Sequence, residues 1–146
     1  MAGAIVLMLT GCAGTPPTFT VVDAGITARS PEGAVVTFVV EGQNTTTDPA
    51  PIRTVTYSLM IDGQVAFRAE RLGEVTLPAG GVQQFRLPVV VAPGPDGAAP
   101  TGQRDYALSA TVQYEAPGSI AEALFDSGIR RPTTTFRESG TLDFGS

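Results

Sequence analysis

The chain has 146 residues, of which 42% are hydrophobic and 16% are charged, and its net charge is −5 with nine basic residues that are all Arg. It contains no His, Lys or Trp and a single cysteine, Cys12, which excludes a Ser-His-Asp triad, a zinc site of His and Cys, a lysine Schiff base and an internal disulfide. Because the Arg residues are scattered rather than clustered, we expect no nucleic-acid partner, and we also expect no metal, no cofactor and no enzymatic activity.

The amino terminus has the pattern of an export signal. Residues 2–9 are apolar and small residues follow them, and this run is shorter than the about 20 apolar residues that a membrane-spanning helix needs. Leu9-Thr10-Gly11-Cys12 resembles the lipobox of bacterial lipoproteins. The resemblance implies removal of residues 1–11 as a lipoprotein signal peptide and a lipid anchor on Cys12. A plain signal peptide, or a frayed apolar terminus with an incidental thiol, is the alternative.

The segment after the cysteine predicts a spacer. Residues 12–18 include Pro16-Pro17, and consecutive prolines favour an extended, stiff backbone. With a lipid on Cys12, the spacer would join the anchor to a folded domain. We therefore expect a protein of the cell envelope whose partner is a bacterial membrane, on the periplasmic or outer-membrane face.

Alternation of apolar and polar residues predicts strands in the first half of the chain. Segments 19–28 and 34–42 form an opening pair with a turn at 30–33 between them. The clearest alternation covers 55–61. Asp62-Gly63 follows it directly, and this dipeptide predicts a hairpin because a type I′ turn needs positive φ at both central residues.

The second half continues the same pattern with one interruption. Strands are predicted over 85–91 and 106–114, and Pro88 places the first of these at a sheet edge or a bulge because it cannot donate a ladder hydrogen bond. Residues 119–128 instead have helical spacing. A last strand is predicted over 134–144.

These elements predict a single all-β domain over 19–146. About seven short strands with frequent turns are typical of an antiparallel β-sandwich of the immunoglobulin or fibronectin-III kind, here with one short helix near 119–128. Tyr57, Tyr106 and Tyr114 share the parity of the apolar side chains, so we expect them in the core.

Three segments, taken in order, carry a resemblance to a known family: Val55-x-Tyr57-x-Leu59-x-Ile61-Asp62-Gly63, Leu77-Pro78-Ala79-Gly80-Gly81 and Phe85-x-Leu87-Pro88-Val89. They resemble the group 2 late-embryogenesis-abundant proteins, whose domain is also called the water stress and hypersensitive response (WHy) domain. The family carries Asn-Pro-Asn after its second strand, whereas here only Asn44 can hold the first Asn position. The resemblance implies a fibronectin-III-like sandwich and a link to desiccation or other stress, without a defined reaction.

The candidate binding surface combines two loops. Strictly alternating strands would place loop 43–53 and segment 116–133 at the same end of the sandwich, where binding loops usually lie. Asn44 and Asp48 in the first loop, and Arg130 and Arg131 in the second segment, are the candidate binding residues.

Each of these residues also has a structural interpretation. Asn44, Asp48 and the distant Asp62 offer oxygen atoms of the kind that Ca²⁺ binds, but they fall short of the about six to eight ligands it requires. A turn-rich loop whose side chains bond its own backbone accounts for the same residues. Arg130-Arg131 could hold an acidic ligand, or cap the carboxyl end of the predicted helix.

A pair of carboxylates is the remaining chemical candidate. Glu70 and Glu74 lie near a predicted turn, and glycosidases act through two carboxyl groups. Neighbouring Arg68 and Arg71 make a solvated charged surface the alternative interpretation.

The leading hypothesis is a non-catalytic envelope lipoprotein with one WHy-like domain. Such a protein would act by binding or protection at the membrane surface, under desiccation or other stress. The alternative is an accessory or scaffolding subunit of an envelope protein complex, with a sheet edge or an apolar patch covered by the partner.

Overall fold

A computed structural model describes residues 15–116, 119–129 and 131–145. This part of the chain forms seven strands and one helix, α1 (Ser119–Asp126), which lies between the last two strands. The strands are β1 (Thr18–Ser30), β2 (Gly33–Gln43), β3 (Ala50–Ile61), β4 (Gln64–Leu77), β5 (Val82–Val91), β6 (Gln103–Tyr114) and β7 (Thr133–Asp143). Cys12 and Arg130 lie outside the described residues, so the signal peptide and the anchor stay predictions.

The strands form two antiparallel sheets that face each other. One sheet has the order β1-β2-β5 and the other has the order β4-β3-β6-β7. Every pair of neighbouring strands is antiparallel. The predicted all-β sandwich with one short helix is therefore confirmed. Within the described ranges, no helix is long and apolar enough to cross a membrane.

The core lies between the sheets and follows the alternation in the sequence. Val36, Phe38 and Val40 on β2 are fully buried, as are Leu59 on β3 and Leu108 on β6. Tyr57, Tyr106 and Tyr114 are also buried, as their parity predicted. Because alternate side chains of a strand point to opposite faces, the intervening residues form the outer faces of the two sheets.

Two local predictions are confirmed by the backbone. Asp62 and Gly63 have φ values of 49° and 80° and connect β3 to β4, as a type I′ turn requires. Pro88 lies on β5, which is an edge strand of the three-stranded sheet. Its carbonyl accepts a 2.7 Å hydrogen bond from the hydroxyl of Tyr57, which belongs to the other sheet.

A bulge in β3 and β4 was not predicted. The pairing passes from Ile52↔Val75 directly to Thr54↔Leu72, so Arg53 alone faces Gly73 and Glu74. The same Arg53 has no partner in β6. An extra residue in a strand reverses which residues of that strand face the core. Ile52 and Val55 are three positions apart and are both buried for this reason.

The expectation that Glu70 and Glu74 lie near a turn was wrong. Both are exposed residues inside β4, which continues through the bulge to Leu77. The sequence obscured this because Gly73 interrupts the alternation. The two carboxylates therefore project from a single strand rather than from two sides of a cleft.

Candidate functional site

The predicted pair of loops meets at one end of the sandwich. Glu115 donates a backbone hydrogen bond to Pro51 O at 2.9 Å, and Tyr114 donates one to Pro132 O at 3.1 Å. Loop 43–53 and segment 116–133 thus lie at the same end, as the alternation predicted. The turn 78–81 and the start of β1 at Thr18 lie there too, since Thr18 and Val82 both pair with Gln43. We call this the loop end.

Asn44 organises the first loop. It is a buried polar residue, and its side-chain amide donates to Asp48 O at 2.7 Å and to Pro78 O at 3.2 Å. Its side-chain oxygen accepts from Thr46 N at 3.0 Å and from Thr46 Oγ1 at 2.7 Å. The backbone amide of Asn44 also donates a hydrogen bond to Gly81 O at 2.9 Å. Each polar side-chain atom of Asn44 is thus engaged within the fold.

We call the side-chain hydrogen bonds of Asn44 to Thr46, Asp48 and Pro78 the Asn44 clasp. The clasp joins two loops that are far apart in sequence. Asp48 contributes its backbone carbonyl to the clasp, while Asp48 itself is an exposed residue. Among the candidate residues of this loop, Asn44 therefore holds the loop in shape and Asp48 presents a carboxylate to solvent. This matches the interpretation of a loop whose Asn and Thr side chains bond its own backbone.

Asp62 cannot share a calcium ion with Asn44. It follows β3 at the opposite end from the loop, roughly 35–40 Å away at about 3.3 Å per strand residue. Asp62 instead pairs with Arg104, with 3.0 Å between Oδ2 and Nη1. In residues 15–116, 119–129 and 131–145, no group of three or more His, Cys, Asp or Glu side chains is placed to hold a metal.

A second cluster at the loop end surrounds Phe125 of α1. The guanidinium carbons of Arg53 and Arg131 lie 5.6 and 5.5 Å from the centre of its ring. Such distances allow cation–π attraction, and the ring itself is buried. We call Arg53, Glu115, Phe125 and Arg131 the arginine cluster.

The β3 bulge places Arg53 in this cluster. Arg53 donates from both Nε and Nη2 to Glu115 Oε2, the first of these at 2.8 Å. The Glu115 side chain is only 8% exposed while that of Arg53 is 45% exposed. A buried carboxylate needs such a partner, so Arg53 both neutralises Glu115 and fixes its position.

Arg131 caps the helix, as one of the two interpretations predicted. Its Nε donates to Phe125 O at 3.2 Å, close to the carboxyl end of α1. Unpaired carbonyls and the helix dipole both favour a cation there. Gly128, with a φ of 76°, ends the helical segment.

Internal hydrogen bonds and ring contacts engage the charged side chains of the arginine cluster. Away from the loop end, burial raises the pKa of Tyr57 in the middle of β3, and burial together with Glu138 raises the pKa of Tyr106 at the opposite end of the sandwich, so both phenols stay protonated near neutral pH. Arg53 and Arg131 are held by a carboxylate and a carbonyl respectively. The arrangement offers a partly cationic surface beside the buried Phe125 ring.

Two residues of the arginine cluster were missed in the sequence. Arg53 and Glu115 are 62 positions apart and meet only because β3 pairs with β6. The available signal was an acidic residue directly after a predicted strand, which is too common to single out. Arg131 was found because it follows a predicted helix.

Comparisons with known proteins bear on the fold. No protein-family model matches the sequence, and no curated protein matches it at a significant level. Several solved structures are similar to the chain. A proposed late-embryogenesis-abundant (LEA) protein has 18% identity and a TM-score of 0.67, over 90% of this chain and 72% of its own.

Two further solved structures are also similar to the chain in fold. A protein from Arabidopsis thaliana has 15% identity and a TM-score of 0.65, over 88% of this chain and 82% of its own. A protein from Archaeoglobus fulgidus has 9% identity and a TM-score of 0.60, over 88% of this chain and 99% of its own. At these identities, the chain shares the fold of an LEA-like domain.

Proposed function

We propose that this protein is a non-catalytic, WHy-like lipoprotein that binds or protects components at a bacterial membrane surface under desiccation or other stress. The observation that carries the proposal is the match of nearly the whole sandwich to a proposed LEA protein. The lipobox-like Leu9-Thr10-Gly11-Cys12 supports the anchor.

The position of the amino terminus predicts which end of the domain would lie next to the membrane. β1 begins at Thr18 at the loop end, six residues after Cys12. Six extended residues reach about 20 Å at most. A lipid on Cys12 would therefore hold the loop end, with the Asn44 clasp and the arginine cluster, next to the bilayer.

Mass spectrometry of the mature protein tests the anchor. We expect an amino terminus at Cys12 that carries diacylglycerol and acyl groups, and a Cys12→Ala variant that leaves the membrane fraction. An unprocessed Met1 would contradict the anchor. It would leave the protective role open to a separate test.

Drying of lipid vesicles tests the protective role. Vesicles loaded with a self-quenching dye should leak less after drying and rehydration when the full mature protein is present. An equal mass of serum albumin is the control for nonspecific protection. Equal leakage with the two proteins would contradict a specific protective role.

The accessory-subunit hypothesis is the second candidate, and one observation favours it. β4 and β5 are edge strands of different sheets that lie side by side, and Leu72 on β4 is 78% exposed. A crevice of about 270 Å³ between them is lined by apolar residues such as Ile52, Val75 and Phe85, with charged residues at Arg71, Glu74 and Arg86. Open edges and exposed apolar side chains are features of partner-binding surfaces.

Site-specific cross-linking at Leu72 discriminates the two hypotheses. A photo-crosslinking residue at this position should capture one stoichiometric protein if the chain is an accessory subunit. The same residue at Val22, an exposed apolar residue on β1, is the control. No specific capture at Leu72 favours the stand-alone role.

A further inference from the structure

The outer face of the four-stranded sheet carries two rows of polar side chains. In the first row, Arg68 of β4 faces Ser58 of β3, which pairs with Ser109 of β6, and that residue pairs with Arg137 of β7. The next row consists of Glu70, Thr56, Thr111 and Thr135. Adjacent strands lie about 4.8 Å apart, so the hydroxyl groups form a regular array. We call these two rows the hydroxyl face.

A shallow depression lies in the middle of the hydroxyl face. Its volume is about 180 Å³, and both Arg68 and Arg137 line it from opposite edge strands. The hydroxyl residues that line it are Thr56, Ser58, Ser109, Thr111 and Thr135. A site for a drug-sized molecule has roughly 300–1,000 Å³, so this depression suits one small unit of a longer chain.

The two guanidinium groups of this face are not neutralised. Within the described part of the chain, neither Arg68 nor Arg137 has a carboxylate at ion-pair distance. Arg53 and Arg104 pair with carboxylates, whereas Arg29, Arg71 and Arg86 are also without one among the described residues. What distinguishes Arg68 and Arg137 is that they flank one depression from opposite edge strands of one sheet. Glu70 is the carboxylate on the same face, and it accepts a 3.3 Å hydrogen bond from Thr56 Oγ1. The depression therefore lies between two cations of an otherwise acidic chain.

We infer that the hydroxyl face binds an acidic polysaccharide, with one carboxylate-bearing sugar unit in the depression between Arg68 and Arg137. A guanidinium group holds a carboxylate through two parallel hydrogen bonds. Ser and Thr hydroxyls both donate and accept, which matches the hydroxyl groups of a sugar ring. This ligand class goes beyond the proposed membrane-surface role and does not depend on the lipid anchor.

Two features separate this inference from ordinary strand composition. Thr is favoured in strands whatever the function, so the hydroxyl rows alone would indicate only a solvated face. The two unpaired cations that flank the same row are not explained by strand preference. In addition, Tyr57 and Phe136 are buried beneath the face, so the depression has no exposed aromatic ring on which a neutral sugar could stack.

Titration calorimetry with polygalacturonate tests the inference on the full mature protein. We expect saturable binding to polygalacturonate and none to dextran, a neutral polysaccharide. The double variant Arg68→Gln/Arg137→Gln should lose about tenfold or more in affinity, because hydrogen bonds to charged groups are strong. Arg29→Gln/Arg86→Gln, with the same charge change on the other sheet, should lose less than about twofold.

A hydroxyl variant and a fold control complete the test. Ser109→Ala/Thr111→Val should weaken binding without changing net charge, and circular dichroism should show that every variant keeps the wild-type fold. Absence of binding to polygalacturonate, equal binding to dextran, or an equal loss in both Arg variants would overturn the inference. Binding to anionic phospholipid vesicles but not to polygalacturonate would overturn it as well.

Discussion

Asn44 shows how one buried amide can replace a longer stretch of regular structure. Its side chain bonds groups in two loops, which otherwise have few backbone hydrogen bonds to each other. Asn44→Ala would remove the hydrogen bonds to the Asp48 and Pro78 carbonyls and to the Thr46 amide and hydroxyl, and leave a gap where the buried side chain was. We expect the variant to lose about 2–3 kcal/mol of unfolding free energy in urea titrations.

Thr47→Ala is the matched control for that measurement. Thr47 is exposed in the same loop, so its variant should stay within about 0.5 kcal/mol of wild type. Equal losses in the two variants would show that Asn44 does not form the clasp in solution.

Tyr57 makes stability depend on alkaline pH. Burial raises its pKa above the usual 10.0, with Arg71 partly opposing the shift, so the folded state binds the phenolic proton more tightly than the unfolded state. The resulting stabilisation is complete below the unfolded pKa and disappears as the pH rises through the folded pKa. The unfolding free energy should therefore fall above about pH 10.

Tyr57→Phe separates this effect from general alkaline unfolding. The variant loses the hydrogen bond to Pro88 O, about 1 kcal/mol near neutral pH, and should show a shallower decline above about pH 10. A residual decline is expected because the pKa of Tyr106 is also raised. An unchanged slope in Tyr57→Phe would contradict the assignment.

At the residue scale, the sequence predicted side chains whose role depends on local neighbours. Asn44 precedes Thr46 in a turn-rich segment, and Arg131 follows a helical segment, so short-range rules apply to both. The Arg53–Glu115 pair depends on the register between β3 and β6. That register is fixed by the whole core and is invisible in either local segment.

The β3–β4 bulge at Arg53 is one of several register shifts in the two sheets. A Cβ added to Gly73 would lie 2.6 Å from the backbone oxygen of Ile52, which cannot move without disturbing the sheet. Gly73→Ala should therefore reduce the unfolding free energy by about 1–3 kcal/mol, measured by urea titration.

Gly25→Ala is the control for the bulge. Nothing lies within 4 Å of a Cβ at Gly25, so the substitution should be neutral within about 0.5 kcal/mol, or slightly stabilising. If Gly73→Ala changed the unfolding free energy as little as Gly25→Ala, that result would contradict the close approach of β3 to β4 at Gly73.

At the element scale, regular strands and tight turns were predictable, and the bulge was not. The conformations of Asp62-Gly63 and Pro88 are restricted by the residues themselves, so the turn and the edge position were predicted from the local sequence alone. At Arg53 the register of β3 shifts against both of its neighbouring strands, by one residue in opposite senses. Such a shift appears only once the strand order is known.

At the scale of the whole molecule, the proposed anchor predicts how the domain is oriented on the membrane. The loop end would face the bilayer and the β3–β4 turn would point away from it. Because Cys12 is the single native cysteine, a probe can be attached at one new cysteine on the acylated protein. Quenching by brominated lipids should be stronger for Asp48→Cys than for Gln64→Cys. Equal quenching would contradict this orientation.

The seven strands of the sandwich alternate in direction without exception, and seven is an odd number. β1 therefore starts at one pole and β7 ends at the other, about one strand length or roughly 35–40 Å away. A fluorescent protein or an epitope joined after Gly145, beyond the buried Phe144, would be displayed at full distance from whatever is attached before Thr15. The domain is thus suited to serve as a rigid spacer in engineered fusions.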